Sequence, residues 1–439
     1  MSGKEVSSEA IDLSNTVALR PDVEPELLEL IFSRIEDDEL KFSICENAAC
    51  PASLRKSYYD LQAKSENEET RIMLASAELL DEGNQELLAR DNSDEVRAAV
   101  AKNKYLVLSL MPKFLADKNV DVRRDLAANP NCSQEVLLML AKDSAAEVRK
   151  SAIENLGVSK NFHGADINQF VTDPEVSVRC VAAKSFQLDS DNIKILLADK
   201  SAEVRIELAK NPNIQWDNLG SLLKDKNQLV LESLLERADF PSENTLDVFQ
   251  KIVKTKDNFL RWRALENAKC PAEILQEFGN GKEESNRAAV ACNVSISEAL
   301  ARQFAKEKSA KVRENIGGNI ACPPDILLQL AKDQDEDVRQ AVAYNPAINN
   351  DIALELIGDE ERNVRWGLSK NENTPLGLLP QIINDSAPVV RQGVLRNPNI
   401  TIDVVYKLTE DSVESVRCAA YRSALLPMKF LAERLRSFL

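Results

Sequence analysis

Apolar residues in this chain come in short helical bursts that return in phase. Val122 with Leu126, Val338 with Val342 and Val390 with Val394 are apolar pairs four residues apart, the spacing of one helical face. After a polar break each pair is followed by a second apolar run, such as Val136-Leu137-Leu138 with Leu140 or Ile326-Leu327-Leu328 with Leu330, and the unit then starts again. With the head of each first burst as position zero, the anchors fall at Leu40, Thr70, Val96, Val122, Val148, Val178, Val204, Leu229, Leu260, Asn286, Val312, Val338, Val364, Val390 and Val416. Ten of the fourteen spacings between them equal 26, and a period in this range predicts a solenoid.

Polar residues punctuate the bursts at fixed places. Asp stands at minus five in nine units (Asp91, Asp117, Asp143, Asp173, Asp199, Asp333, Asp359, Asp385, Asp411), where its carboxylate is expected to cap the first helix turn and oppose the helix dipole. Asn stands at plus seven in eleven of the fifteen units, followed by Pro at Pro130, Pro212, Pro346 and Pro398. Asn tolerates a left-handed helix end and Pro cannot continue a helix, so each Asn is expected to stop its helix through backbone geometry. Ser133, Ser297, Asn349, Thr401, Pro51, Pro271, Pro323 and Pro375, all at plus eleven, signal a second helix start. Every unit is thus two short antiparallel helices, too small to bury its own apolar faces, so each must stack on the next.

Asp at minus five with Val-Arg at zero and plus one is similar to the Asp/Val/Arg signature of the second helix in HEAT repeats. The fuller pattern D-x4-VR-x2-LA-x-NPN-x4-LLx-LA resembles the leucine-rich repeat variant group of bacterial proteins. The resemblance covers residues 40 to 424. It implies an all-α fold, a right-handed α-solenoid of about fourteen or fifteen two-helix HEAT-like repeats, whose second helices line a concave face. Two departures stand out: the period is a little longer than that group's usual repeat, and its cysteine-rich iron–sulfur module is not visible at the N-terminus. The HEAT comparison also implies that Arg at plus one, present in thirteen units from Arg71 to Arg417, pairs with Asp of its own or a neighbouring repeat. Asp117, Arg123, Asp143, Arg149, Asp333, Arg339, Asp385 and Arg391 are therefore expected to form a structural ladder, preferred to an anion-binding one.

Residues 1–24 are polar and acidic and are assigned to a partly disordered tail, residues 25–424 to one continuous array, and residues 425–439 to an amphipathic capping helix. The anchors lose their spacing near 156–176 and 225–260, where irregular repeats are expected, and the lone His163 lies in the first of these, in Asn161-Phe162-His163-Gly164. An apolar content of 44% with 29% charge and only 13 Gly suits a helical globular protein. No run approaches the ~18 to 20 apolar residues that cross a bilayer, and no signal-type segment opens the chain, which gives a soluble, cytoplasmic expectation.

Chemistry is sparse. Cys50, Cys132, Cys270 and Cys322 share position plus ten, filled elsewhere by Ile214, Ile348 and Ile400, so they read as small core residues; no metal site, no disulfide and no cofactor are expected. One His cannot build the paired His-Glu iron sites of HEAT-type hydroxylases, and no phosphate loop, nucleophile elbow or Cys/His dyad is present. The net charge of −16 disfavours nucleic acid as the main partner. What remains is surface. At ~100° per residue, plus two and plus six point away from the packed side. They carry Trp262, Tyr344, Trp366, Lys370, Arg396 and Arg422, the residue types of binding hot spots. The reading is a non-catalytic scaffold or adaptor that recognises a protein or peptide along the concave face. The alternative is a HEAT-type enzyme or nucleic-acid-processing factor, such as a DNA glycosylase or a chromophore lyase, drawing on the basic and aromatic segment 250–263.

Overall fold

The computed structural model describes residues 7–158, 169–184, 188–237 and 245–439; His163 and its neighbours lie outside these, as do parts of both irregular segments. The described residues form thirty-one α-helices with a few single 3-10 turns and no strand. None of these helices is long and apolar enough to cross a membrane. The chain divides into two compact units, residues 42–240 and residues 1–41 with 241–439. Each is a HEAT-like stack of helix pairs. In the first unit Gln134–Leu140 leads into Ala146–Val158; in the second, Pro324–Leu330 leads into Glu336–Tyr344. The anchor valines at 96, 122, 148, 204, 312, 338, 364, 390 and 416 are wholly buried, because the second helices pack directly on one another along the stack.

The Asp at minus five is not the N-cap. The cap lies two residues later, where Ser93, Asn119, Ser309 or Asp335 accepts from a first-turn amide. The Asp does other work. In Asp143, one carboxylate oxygen accepts from the Ala145 amide at 2.9 Å, and both oxygens accept from Arg123 of the preceding repeat at 2.7 and 3.0 Å. Arg123 also uses Nη1, which donates to the carbonyls of Asp117 and Lys118 in its own repeat. Each Asp is therefore held twice, its carboxylate by the arginine before it and its carbonyl by the arginine after it. In the first unit the chain of contacts runs from Arg71 to Asp225, and Arg149 with Asp173 at 2.8 Å carries it across the first irregular repeat. In the second unit the rungs are Arg313–Asp333, Arg339–Asp359, Arg365–Asp385 and Arg391–Asp411, with Glu307 standing in for Asp opposite Arg287.

The Asn at plus seven does not use left-handed backbone either. Asn103 has φ −59° and ψ 123°, and no described non-glycine residue has positive φ. Its value lies in the amide group, which has two donors where a hydroxyl has one. Asn345 Nδ2 donates to the carbonyls of Gly317 at 2.7 Å and Asn319 at 2.9 Å in the preceding repeat, while its Oδ1 accepts from the Ala347 amide. Asn319, Asn371 and Asn293 do the same; in the repeat anchored in sequence at Leu229 the buried anchor is Val230, with Leu229 exposed, and Arg237, seven residues on, takes this place with three carbonyl contacts. Both ends of the second helix are thus bonded to the neighbouring repeat.

Residues 8–18, within the segment that polarity assigns to a tail, form the helix Ser8–Ala18, which buries Ala10, Leu13 and Val17. It packs against Glu414–Tyr421 and Met428–Phe438. Arg417 stands at plus one of the last repeat, where no following Asp exists, and Glu9 takes that place with both carboxylate oxygens, at 3.0 and 2.6 Å. Tyr421 donates to the same carboxylate at 3.0 Å.

Two outcomes follow from these contacts. Asn345→Ala takes the side-chain donor from the Gly317 and Asn319 carbonyls, of which Asn319 keeps the Cys322 amide at 2.9 Å, and should cost about 1 to 2 kcal/mol in denaturant unfolding. Asn345→Gly should fare no better, whereas a left-handed helix end would favour glycine. The second outcome concerns pH. Burial raises the carboxyls of Asp117, Asp143, Asp333 and Asp385, but the facing guanidinium and a backbone amide outweigh it and leave each below its ordinary value. Groups depressed on folding contribute stability that is present above the unfolded value and lost as pH falls through the folded one. The thermal midpoint should therefore hold from neutral pH to about pH 5 and drop below about pH 4.

Candidate partner-binding face

The second helices present plus two and plus six on the side away from the ladder, and three of these residues meet. Tyr344 ends Glu336–Tyr344; Trp366 and Lys370 lie one turn apart on Arg362–Lys370 in the next repeat. The Tyr344 and Trp366 rings pack edge to face, with centroids 6.2 Å apart and planes at 87°. Lys370 Nζ lies 4.1 Å from the Trp366 ring centre and 5.3 Å from that of Tyr344. Edge-to-face rings and a cation over both faces are mutually favourable through the ring quadrupoles. Tyr344 remains 39% exposed and Trp366 half-buried, so the group is accessible. Burial raises the Tyr344 phenol, against its contact with Gln340 and the charge of Arg396.

Small residues at plus three make room for this group. A Cβ on Gly367 would approach Ala343 and the Tyr344 ring at 3.1 and 3.4 Å, and one on Gly393 would meet Ser369 Oγ at 1.8 Å and Trp366 Cδ1 at 3.1 Å. Next along the stack an open groove of about 500 Å³ runs past Gln392, Arg396, Ser415, Cys418, Ala419 and Arg422. Arg396 is exposed at the end of the 3-10 turn Val394–Arg396, and Gln392 Nε2 donates to Ser415 Oγ at 3.0 Å. Arg422 pairs with Asp12 of the N-terminal helix. Burial, and then the carboxylates of Asp12, Glu9 and Glu414, push the Cys418 thiol up to about 11, so it stays protonated.

The remaining sequence candidates lie elsewhere. Trp262 sits three repeats before Tyr344, half-buried, with its indole N–H donating to Glu266 at 3.2 Å. In the basic segment 250–263, Lys251 pairs with Asp247 at 2.6 Å and Arg261 is held by Asn286 and the Thr255 carbonyl. The cysteines at plus ten are buried, and burial pushes the thiols of Cys132, Cys270 and Cys322 up to about 12. Cys45 and Cys50, both buried, touch; their hydrogen bond, followed by burial, raises the Cys45 thiol. Residues that sequence reasoning passed over are Gly367, Gly393 and Ala419, whose signal is the run of small residues at plus three beside the aromatic and cationic positions.

No family model matches the chain, and no curated protein matches it. Among solved structures it is similar to a leucine-rich repeat variant with a novel repetitive structural motif, at 18% identity over 52% of this chain and 87% of that one, with a TM-score of 0.37. It is also similar to an engineered protein (15% identity, 94% of this chain and 98% of that one, TM-score 0.23) and to a structure of the Pds5–Scc1 complex (14%, 95% and 78%, 0.21). The repeat fold rests on the chain's own helix pairs and their contacts.

Gly393→Ala tests whether the small residue is what seats the ring. Its methyl cannot enter without displacing Ser369 and Trp366, so the variant should lose about 1 to 3 kcal/mol, as overpacked sites do. Gly377→Ala, where nothing stands within 4 Å of the new methyl, should stay within about 0.5 kcal/mol of wild type in the same urea titration.

Proposed function

We propose that this chain is a non-catalytic, cytoplasmic binding scaffold or adaptor that recognises a protein or peptide along its second-helix face, the concave face in HEAT-type superhelices. One observation supports this most: Tyr344, Trp366 and Lys370 form an accessible aromatic and cationic group that neither the core nor the ladder requires. Aromatic anchors with a cation beside them are the usual centre of a protein interface. The stack supports the same reading, because ladders at both ends of each second helix fix the backbone before a partner arrives. A preformed surface loses less ordering entropy on binding. Nucleic-acid processing draws less support, since two cations of the segment 250–263 are already engaged within the protein.

Affinity capture from the native host, comparing wild type with Trp366→Ala and Tyr344→Ala, tests the reading. Each variant should lose a captured partner, at a cost of about 2 kcal/mol or more in binding, while its unfolding free energy moves by only about 0.5 kcal/mol. If both variants unfold early with capture unchanged per folded molecule, these residues are packing and the reading fails.

A further inference from the structure

A charge pair links one second helix to the next, and its counterpart is missing beside the aromatic group. Plus six of one repeat faces plus three of the next. Where plus six is a cation, plus three can supply its carboxylate: Lys184 Nζ lies 3.2 Å from Glu207, which stands at plus three of the following repeat. In the repeat anchored at Val416, Arg422 at plus six is neutralised by Asp12 of the helix Ser8–Ala18. Lys370 and Arg396 also stand at plus six. The residues at plus three that face them are Gly393 and Ala419, which carry no charge. Lys370 turns back onto the aromatic rings, and Arg396 is left exposed in the groove past Ser415, Cys418 and Ala419. Lys370 and Arg396 are thus two cations with no ion pair among the described residues, in a chain whose net charge is −16.

We infer that the face formed by Tyr344, Trp366, Lys370 and Arg396, with the groove up to Arg422, takes an acidic peptide segment of a partner protein that also carries an aromatic or large apolar side chain. The inference rests on the scaffold reading and adds the partner's chemistry. The carboxylate that the repeat omits at Gly393 and Ala419 is the one the partner brings. Asp12 on Arg422 shows the same contact made, one repeat further on, by an acidic helix of this chain. Its apolar residue rests on the exposed edges of Tyr344 and Trp366. Charge pairs at the rim of such a site select the partner and set its salt dependence, and the aromatic anchors supply the contact area.

The direct test is fluorescence anisotropy of the full-length protein with a labelled peptide rich in Glu and Phe. The controls are the same peptide with every Glu replaced by Gln, and a labelled oligothymidylate. Wild type should bind the acidic peptide, less tightly as salt rises, and should bind the Gln peptide about tenfold more weakly. Ala419→Glu restores the missing internal carboxylate and Arg396→Glu reverses the exposed charge; each should weaken the acidic peptide by about tenfold or more. Arg396 is exposed, so Arg396→Glu carries the test if Ala419→Glu lowers the unfolding midpoint. Equal binding of the Glu and Gln peptides, or indifference to both substitutions, overturns the acidic partner. Tighter binding of oligothymidylate that is lost in the same variants overturns it in favour of nucleic acid. Loss of the captured partner in Trp366→Ala with no effect of Ala419→Glu or Arg396→Glu leaves the scaffold reading standing and removes only this inference.

Discussion

The interaction on which the structure depends is the arginine at plus one of each second helix. Its planar guanidinium is divided between two repeats. Nε and Nη2 hold the carboxylate of the following Asp, while Nη1 holds the carbonyl of the Asp in its own repeat. Within each unit successive arginines are linked through single carboxylates into a polar chain, and the side chains of Arg339 and Asp359 are only 11% and 6% exposed. A charge so little solvated is costly unless it is paired and hydrogen-bonded. Sliding one repeat against the next would strand both partners, so the chain of contacts fixes register more than it adds net stability. The same logic extends to the end of the array. Arg417 would be left without its carboxylate, and Glu9, 408 residues away in sequence, supplies it.

A second row of contacts, from Asn at plus seven to carbonyls of the preceding repeat, ties the other end of each second helix. Anchor, ladder and clamp together commit positions zero, plus one, minus five and plus seven. Positions plus two, plus three and plus six are left to vary without endangering the stack. That is why Trp366, Gly393 and Arg396 depart from the pattern of other repeats while Val390, Arg391 and Asn397 keep it. Fold and binding face are separable in this architecture because different helix positions carry them.

Much of this was legible in the sequence. The anchor valines, the helix pairs and the Asp/Arg pattern follow from periodicity, and the plus-two and plus-six stripe follows from helical geometry. The roles of two residues did not follow. Asp before a helix and Asn after one are both known capping residues, so Asp143 and Asn345 look like local caps. Both have their decisive partners in the preceding repeat: Arg123, which the HEAT comparison brings into view, and the Gly317 carbonyl, of which local pattern carries no record. Asp143 does accept a local amide, that of Ala145, but from outside the helix. Glu9 was further from reach. The helix Ser8–Ala18 has its apolar face in Ala10, Leu13 and Val17, a weak signal among polar neighbours, and nothing in the order of residues joins it to Arg417. Within the stripe, the sequence named Trp366, Tyr344 and Lys370 among six candidates. It did not separate Trp262, whose indole is engaged by Glu266, nor point to the glycines that seat the rings.

A double-mutant cycle at Arg339 and Asp359, read by denaturant unfolding, bears most directly on the claim that paired, poorly solvated charges between repeats hold the stack in register. Arg339→Ala and Asp359→Ala should each cost about 2 to 4 kcal/mol, since each leaves a charge without its partner. The double variant should cost little more than either single one, giving a coupling energy of about 2 kcal/mol or more. Strictly additive effects, with coupling below about 0.5 kcal/mol, would show that the two side chains act independently and that register is set by apolar packing alone.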